Sequence, residues 1–506
     1  MKNLFNSIQL NRPKKNAFDL SHDVKLSARM GNITPILVQE CIPGDNFKIG
    51  CESLIRFAPL TAPVMHRMDV TMHYFFVPNR ILWDNWEKFI TDANSGLSLP
   101  YIRLTSWSGW ESNGYNKFLD YMGVPPVPST GAFDFNINAL PMAAYQCIYN
   151  EYYRDQNLVA PVPYKLTDGT NNGNVAELFK LRKRAWEHDY FTSCLPFAQK
   201  GAAVDIPLGA VSGEGEVFVN NATAGTNLDG TPYNIDVDYN TSSLPGVGAN
   251  QLFTSIDDLQ VEPTTINDLR RAFRLQEWLE RNARGGTRYI ESILSHFGVW
   301  SSDKRLQRPE YITGVKSPVI ISEVLNTTGA DGGLPQGNLA GHGISVSSGK
   351  YGTYNVEEHG YIIGVMSIMP KTAYQQGIPR TYSKFDALDY FWPAFANIGE
   401  QEVKVQELYA FTANAQETFG YVPRYAEYKF NPSRVAGDFR TTLDYWHLGR
   451  IFATEPTLSQ EFIECAPEDV DRIFAVDDPD FDNLYCHVYN KINALRLMPK
   501  FGNPMF

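Results

Sequence analysis

The chain has 506 residues, with 44 Lys and Arg against 56 Asp and Glu, for a net charge of −12. Hydrophobic residues make up 43%, the composition of a packed globular protein and not of a disordered one. The acidic balance argues against a nucleic-acid coat over the whole surface, and no run approaches the roughly 18 apolar residues that span a bilayer.

In chain order, residues 1–30 read as a basic arm. Arg12, Lys14 and Lys15 form a short patch with Phe5 and Phe18 nearby, and no apolar block marks a secretory signal. Lysine and arginine neutralise phosphates and aromatics stack on unpaired bases, although a tail that merely solvates itself has the same composition. Strand patterns follow. Residues 33–41 open after Gly31-Asn32. In 48–57, Ile49, Cys51, Ile55 and Phe57 alternate with Lys48, Glu52 and Arg56. In 67–78, Val70, Met72, Tyr74 and Phe76 face away from Asp69, Thr71 and His73.

The middle of the chain changes period. Helices are expected over 79–93, 138–154 and 174–191; the second has Asn138 as cap and Leu140, Ala144, Ile148 and Tyr152 as its stripe. The strongest helix signal spans 265–284, with Thr265 as cap, Asp268 three residues on and Gly285-Gly286 as the stop. Just before it, 204–263 holds no Lys or Arg and nine Asp or Glu. Turn-rich and strongly acidic, it reads as a surface insertion. Strand signals return at 315–325, 360–369, 403–412, 441–452 and 485–498; 360–369 is apolar on both faces and is expected deep in the core. The expected divisions are a basic arm (1–30), first strands (31–80), a helical and loop insertion (81–203), the acidic insertion (204–263), a helical insertion (264–310), and the remaining strands with a C-terminal arm (311–506).

Chemistry-bearing motifs are scarce. There is no phosphate-binding glycine loop, no zinc-protease or serine-hydrolase signature and no C-x-x-C pair among the six cysteines, which read as reduced thiols. Asp478, Asp480 and Asp482 have the spacing of the first calcium-loop positions, but Asn483 stands where the loop needs glycine and Tyr489 where it needs glutamate. No metal and no cofactor is expected. Carboxylates assembled from distant positions, as in glycosidases, stay open.

Longer motifs carry a resemblance. The runs Phe18-Asp19-Leu20-Ser21-His22, Pro43-Gly44-Asp45 and Ala58-Pro59-Leu60-Thr61-Ala62-Pro63-Val64-Met65-His66-Arg67 lie early in the chain. His73-Tyr74-Phe75-Phe76-Val77-Pro78-Asn79-Arg80 and Trp83-Asp84 follow, and Tyr445-Trp446-His447-Leu448-Gly449-Arg450-Ile451-Phe452 lies late. Together they resemble the major capsid proteins of the microviruses, most closely the gokushovirus-like group of small single-stranded DNA bacteriophages.

The resemblance implies a mainly β protein: an eight-stranded antiparallel jelly roll of the viral capsid type with long helical and loop insertions. It implies a shell protein without catalytic site or cofactor, assembled in the bacterial cytoplasm, sixty copies closing a T=1 icosahedron around circular single-stranded DNA. Its partners would be itself, the genome, a small basic DNA-binding peptide, a scaffolding protein and a host cell-surface receptor. On that reading Arg12, Lys14, Lys15, Arg496 and Lys500 are candidates for DNA contact. The acidic insertion is the expected threefold protrusion, with Glu214, Glu216, Asp229, Asp236 and Asp238 as candidates for receptor contact. The rival readings are a jelly-roll carbohydrate-binding protein or glycosidase, and an isolated binding module.

Overall fold

The computed structural model describes residues 14–92, 95–205, 265–325, 338–349, 351–476 and 481–501, together with the backbone of short strands between 211 and 261. The chain is mainly β, its sheets are antiparallel, and it divides into two compact units, Gln199–Asn282 and the remainder.

Two sheets dominate the larger unit. We label their principal strands β1 (His22–Ala28), β2 (Thr34–Cys41), β3 (Asn46–Phe57), β4 (Met68–Pro78), β5 (Glu310–Pro318), β6 (Leu339–Ser348), β7 (Gly360–Pro370) and β8 (Leu484–Arg496). One sheet runs β1-β8-β3-β6. Asn16–Asp19 continues β1 along β8, Gly352–Asn355 pairs with the start of β3, and Ile320–Leu325 forms the outer edge beyond β6. The other sheet runs β2-β7-β4-β5.

Period-two patterning decides which way each strand faces. The inward residues of β3 (Phe47, Ile49, Cys51, Ile55, Phe57) and β8 (Leu484, Cys486, Val488, Ile492) share one core with Met68, Val70, Met72, Tyr74 and Phe76 of β4. Every residue of β7 is buried, as its two-faced apolar pattern predicts. The second face of the four-stranded sheet, with Phe75, Val77, Ile363 and Val365, packs on a separate core. That core is built by helix α1 (Leu140–Ile148) and its neighbours. Asn138 Oδ1 accepts the Leu140 amide at 2.9 Å at the start of α1, and the helix continues as a π turn, Tyr149–Tyr153. Its tyrosines tie it to the sheet: Tyr145 donates to Ile33 O at 2.7 Å, and Tyr153 Oη lies 2.6 Å from His73 Nδ1. The outer face of the four-stranded sheet is thus covered by helices.

A third core holds Tyr190, Phe191, Tyr374, Leu408, Phe419 and Phe462 around the hairpin Glu400–Lys404/Thr418–Pro423. All six cysteines are free and buried, and burial raises their thiol pKa values.

In the smaller unit the acidic segment forms nested antiparallel pairs, Val211–Ser212 with Gln260–Val261 and Glu216–Val219 with Leu252–Ser255. Helix α2 (Ile266–Gly285) follows, and its first turn is capped as expected, Thr265 Oγ1 accepting from the Asp268 amide at 3.2 Å.

Several expected elements differ. Residues 79–93 form two short helices, Asn79–Leu82 and Trp86–Thr91. Only Val175–Leu178 of 174–191 is α-helical, because the chain beyond it runs extended beside Gly31–Ile33: the Ile33 amide donates to Arg182 O and the Arg184 amide to Gly31 O. The strand expected over 403–412 ends at Lys404 and turns into the helix Val405–Leu408, capped by Glu407 accepting the Lys404 amide at 3.1 Å. The strand expected over 441–452 is absent: a 3-10 turn, Asp444–Trp446, occupies it. Arginine side chains satisfy the carbonyls there, Arg472 donating to His447 O at 2.9 Å and Gly449 O at 2.6 Å.

Candidate functional site

The two basic segments singled out in the sequence lie together. Asn16–Asp19 pairs with the end of β8, Asn16 opposite Arg496, and Asn16 Nδ2 donates to Met498 O at 2.7 Å. Lys14 and Lys500 are exposed, whereas Lys15 Nζ donates to Gly44 O at 2.7 Å. Arg496 is committed inward. Its Nε lies 3.1 Å from Asp45 Oδ2, its terminal nitrogen donates to Glu40 O at 2.7 Å, and its guanidinium sits 5.4 Å from the Phe47 ring centroid. The Asp45 side chain is 0% exposed, and burial raises its pKa against the opposing pull of the Ile42 amide, Arg496 and Lys15. Arg12 lies outside the described residues.

Next to this junction lies the outer face of the seven-stranded sheet, whose partner sheet packs only on the opposite side. Register places His487 between Lys25 and Leu54, and Tyr485 beside Arg56. These side chains rim a shallow depression of about 420 Å³. Farther along, Lys48 Nζ lies 4.8 Å over the Tyr351 ring, and that ring rests on Gly50, where a Cβ would stand 2.8 Å from it. Lys491 pairs with Glu52, and His487 Nε2 lies 2.8 Å from Asp23 Oδ1. Lys25 and Arg56 have no carboxylate partner among the described residues. The face therefore carries four cations, Lys25, Lys48, Arg56 and Lys491, against Asp19, Asp23 and Glu52, with Tyr351, Tyr485 and Tyr489 between them. In a chain of net charge −12 this is a locally basic, aromatic surface. Reading the sequence for clusters missed it, because its residues come from three distant strands. The signal available was the polar half of each alternating pattern.

The remaining predicted residues divide simply. Glu214, Asp229, Asp236 and Asp238, and the side chain of Glu216, lie outside the described residues, as do Asp478 and Asp480. Asp482 is engaged by protein groups: Ser27 Oγ donates to it at 2.7 Å and Lys117 Nζ lies 2.5 Å away. Among the described residues no group of three or more His, Cys, Asp or Glu is placed to hold a metal, and no helix is long and apolar enough to cross a membrane.

Comparison with known proteins gives the surfaces their context. The family described as Capsid protein (F protein) matches residues 6–506. The chain belongs to this capsid protein family. It is 34% identical to Capsid protein VP1 of Chlamydia phage 1 over 100% of this chain and 98% of that one. It is 36% identical to Capsid protein VP1 of Bdellovibrio phage phiMH2K over 97% and 95%, and 31% identical to Capsid protein VP1 of Spiroplasma virus 4 over 93% and 91%. For a capsid protein the useful features are faces and flanks, and the uncovered sheet face is the first of these.

Proposed function

We propose that this capsid protein closes a T=1 shell of sixty copies around circular single-stranded DNA and resides in the virion after assembly in the host cytoplasm. The family match over nearly the whole chain carries the reading. It also leaves the carbohydrate-binding or glycosidase alternative without support.

The building block on this reading is an eight-stranded jelly roll. What supports it is strand order: β1-β8-β3-β6 in one sheet and β2-β7-β4-β5 in the other, all antiparallel, so successive strands alternate between two facing sheets except at the β4-β5 pair, the order of a doubled Greek key. The outer face of the four-stranded sheet is occupied by helices, and no element among the described residues covers the outer face of the seven-stranded sheet. We infer that the free face turns inward to the DNA. Lys25, Lys48, Arg56 and Lys491 supply phosphate contacts and Tyr485 a stacking platform, continuing the basic arm of Arg12, Lys14, Lys15 and Lys500. A small basic peptide and a scaffolding protein are further proposed partners. The acidic segment 204–263, with Glu214, Glu216, Asp229, Asp236 and Asp238, is the proposed receptor-facing protrusion.

Light scattering on purified material tests the shell. Sixty chains of 57.1 kDa give about 3.4 MDa. A monomer or dimer under assembly conditions would overturn it.

A further inference from the structure

A stretch of the larger unit has its polarity reversed. Lys384 is buried, its side chain 5% exposed, with Nζ 2.9 Å from Glu427 Oε1 and 4.0 Å over the Tyr428 ring. The next residue, Phe385, is 92% exposed. The same reversal surrounds them. Arg380 turns inward to Glu407, a carboxylate 3% exposed, at 3.2 Å, and Gln401 donates to Glu427 at 2.8 Å. Meanwhile Tyr382 (71%), Leu388 (55%), Tyr390 (53%), Phe391 (49%) and Trp392 (50%) stand out in solvent.

This exposure is held in place. The amides of Phe385 and Asp386 both donate to Asp389 Oδ2 at 2.9 Å, Trp392 Nε1 donates to Ala387 O at 2.8 Å, and Arg424 reaches Leu388 O at 3.3 Å. Glu427 and Tyr428 compensate the inward lysine, but a phenylalanine fixed outward leaves its apolar surface in water in a free monomer. The loss is recovered only if the outside is covered.

At about 200 Å² for a full aromatic or large aliphatic side chain, these six exposures present roughly 700 Å² of apolar side chain. The largest patch on a typical monomer is about 300–600 Å², and one side of a standard protein interface is about 800 Å². The cations Lys384 and Arg380 are paired with Glu427 and Glu407, and the exposed charges of the segment are the carboxylates of Asp386 and Asp389, so the patch offers nothing that attracts a polynucleotide. Beside it opens a cavity of about 490 Å³ with Tyr382 and Phe430 among its lining residues. Gln375, 9% exposed, also lines it, and Gln375 Oε1 has no hydrogen-bond partner among the described residues. The cavity gives an incoming side chain somewhere to enter.

We propose that the segment 380–392 is a lateral contact with a second copy of this chain, with Phe385 and Trp392 as its anchors. A second copy is the occupant because the patch has the area of one flank of a lasting interface, is dominated by aromatics as interface centres are, with Asp386 and Asp389 as its exposed charges, and belongs to a capsid protein. The inference rests on the shell reading and adds the site of contact to it.

Two variants test it. In Ala387→Cys the new thiol is the only exposed cysteine, since the six native ones are buried. Maleimide should label it at least tenfold more slowly in purified particles than in the unassembled subunits of the same preparation. Phe385→Asp should keep the wild-type unfolding midpoint and stay near 57.1 kDa in solution. Free labelling in particles, or wild-type particle yield from Phe385→Asp, overturns the contact and leaves the shell reading standing. Failure of the wild-type chain to form particles overturns both. If Phe385→Asp does not fold, the thiol measurement still decides.

Discussion

Replacing Arg496 separates a role in the fold from a role at the genome. The side chain ends β8 within 3.1 Å of Asp45 Oδ2, donates to Glu40 O and lies against Phe47, with 15% of it exposed. Arg496→Ala strands a carboxylate whose own side chain is 0% exposed. Breaking one side of a buried ion pair costs about 3–5 kcal/mol, and Asp45 can escape part of that by taking a proton, so about 3 kcal/mol is the working figure. An unfolding entropy of about 2.1 cal/mol/K per residue gives roughly 1 kcal/mol/K for this length, and the unfolding midpoint should fall by about 3 °C. The double variant Arg496→Ala/Asp45→Asn, which removes the stranded charge, should recover most of the loss. Because burial raises the pKa of Asp45, its native state holds the proton more tightly than the unfolded chain does. Asp45 therefore weakens folding as pH rises through the carboxylate range, and Asp45→Asn alone should flatten that slope. The assay is calorimetry of unassembled subunits beside the DNA content of particles. A midpoint within about 1 °C of wild type, together with less packaged DNA, would refute the buried-pair argument and return Arg496 to the genome.

Four further outcomes follow from the same geometry. Burial, with His447 and Arg472 nearby, pushes His66 down to about 4, and burial with Arg184 does the same to His73. Both exclude protons in the native state, so their stabilisation is complete above about pH 6.5 and is lost as pH falls toward 4, up to about 3 kcal/mol each; thermal midpoints that do not move between pH 7 and 4.5 would contradict this. Gly31 has φ +84° and its Cβ would meet Cys465 O at 2.3 Å, so Gly31→Ala should cost more than about 3 kcal/mol in a urea titration, and an unchanged midpoint rules the strain out. Lys25→Ala/Arg56→Ala should leave the fold intact and reduce the slope of log affinity for single-stranded DNA against log salt by about 1.4; an unchanged slope moves the DNA to another face. Deleting 211–249 should spare assembly and impair attachment to host cells, and loss of particles would make that segment a subunit contact instead.

What was legible in the sequence is what local pattern determines. The alternation of 48–57 became β3, the two-faced run at 360–369 became β7, and Thr265 caps α2. Elsewhere long-range contacts override the pattern. β6 carries Gly341 and Gly343, where a Cβ would meet Ala62 O at 2.5 Å and the Phe57 ring at 2.8 Å, so close packing against the next strand erases the strand signal. β1 does alternate, Val24, Leu26 and Ala28 against Asp23, Lys25 and Ser27, but as a sheet-edge strand with one wet face it reads as part of a basic arm. Residues 441–452 look like a strand by composition, and the Arg472 side chain rather than a ladder partner satisfies the carbonyls of His447 and Gly449. The basic sheet face was not legible because it exists only once residues 25, 54–56 and 485–487 are in register. The reversal at Lys384 and Phe385 runs against the rule by which sequence is read at all.

The distribution of charge bears on how such a chain can pack beside copies of itself. A net charge of −12 spread evenly would oppose association, since neighbouring flanks in a shell lie within the Debye length of about 8 Å at physiological salt. Nine of those negative charges sit within 204–263, which leaves the other residues near −3. The rest of the chain is then free to be specific where it is uncovered: cationic and aromatic on the free sheet face, and neutral and apolar along 380–392. A polynucleotide and a second protein chain make opposite demands on a surface, one for unpaired cations and the other for their removal. On the reading proposed above, both demands are met: among the described residues Lys25 and Arg56 have no carboxylate partner on the sheet, while Lys384 and Arg380 turn inward onto Glu427 and Glu407.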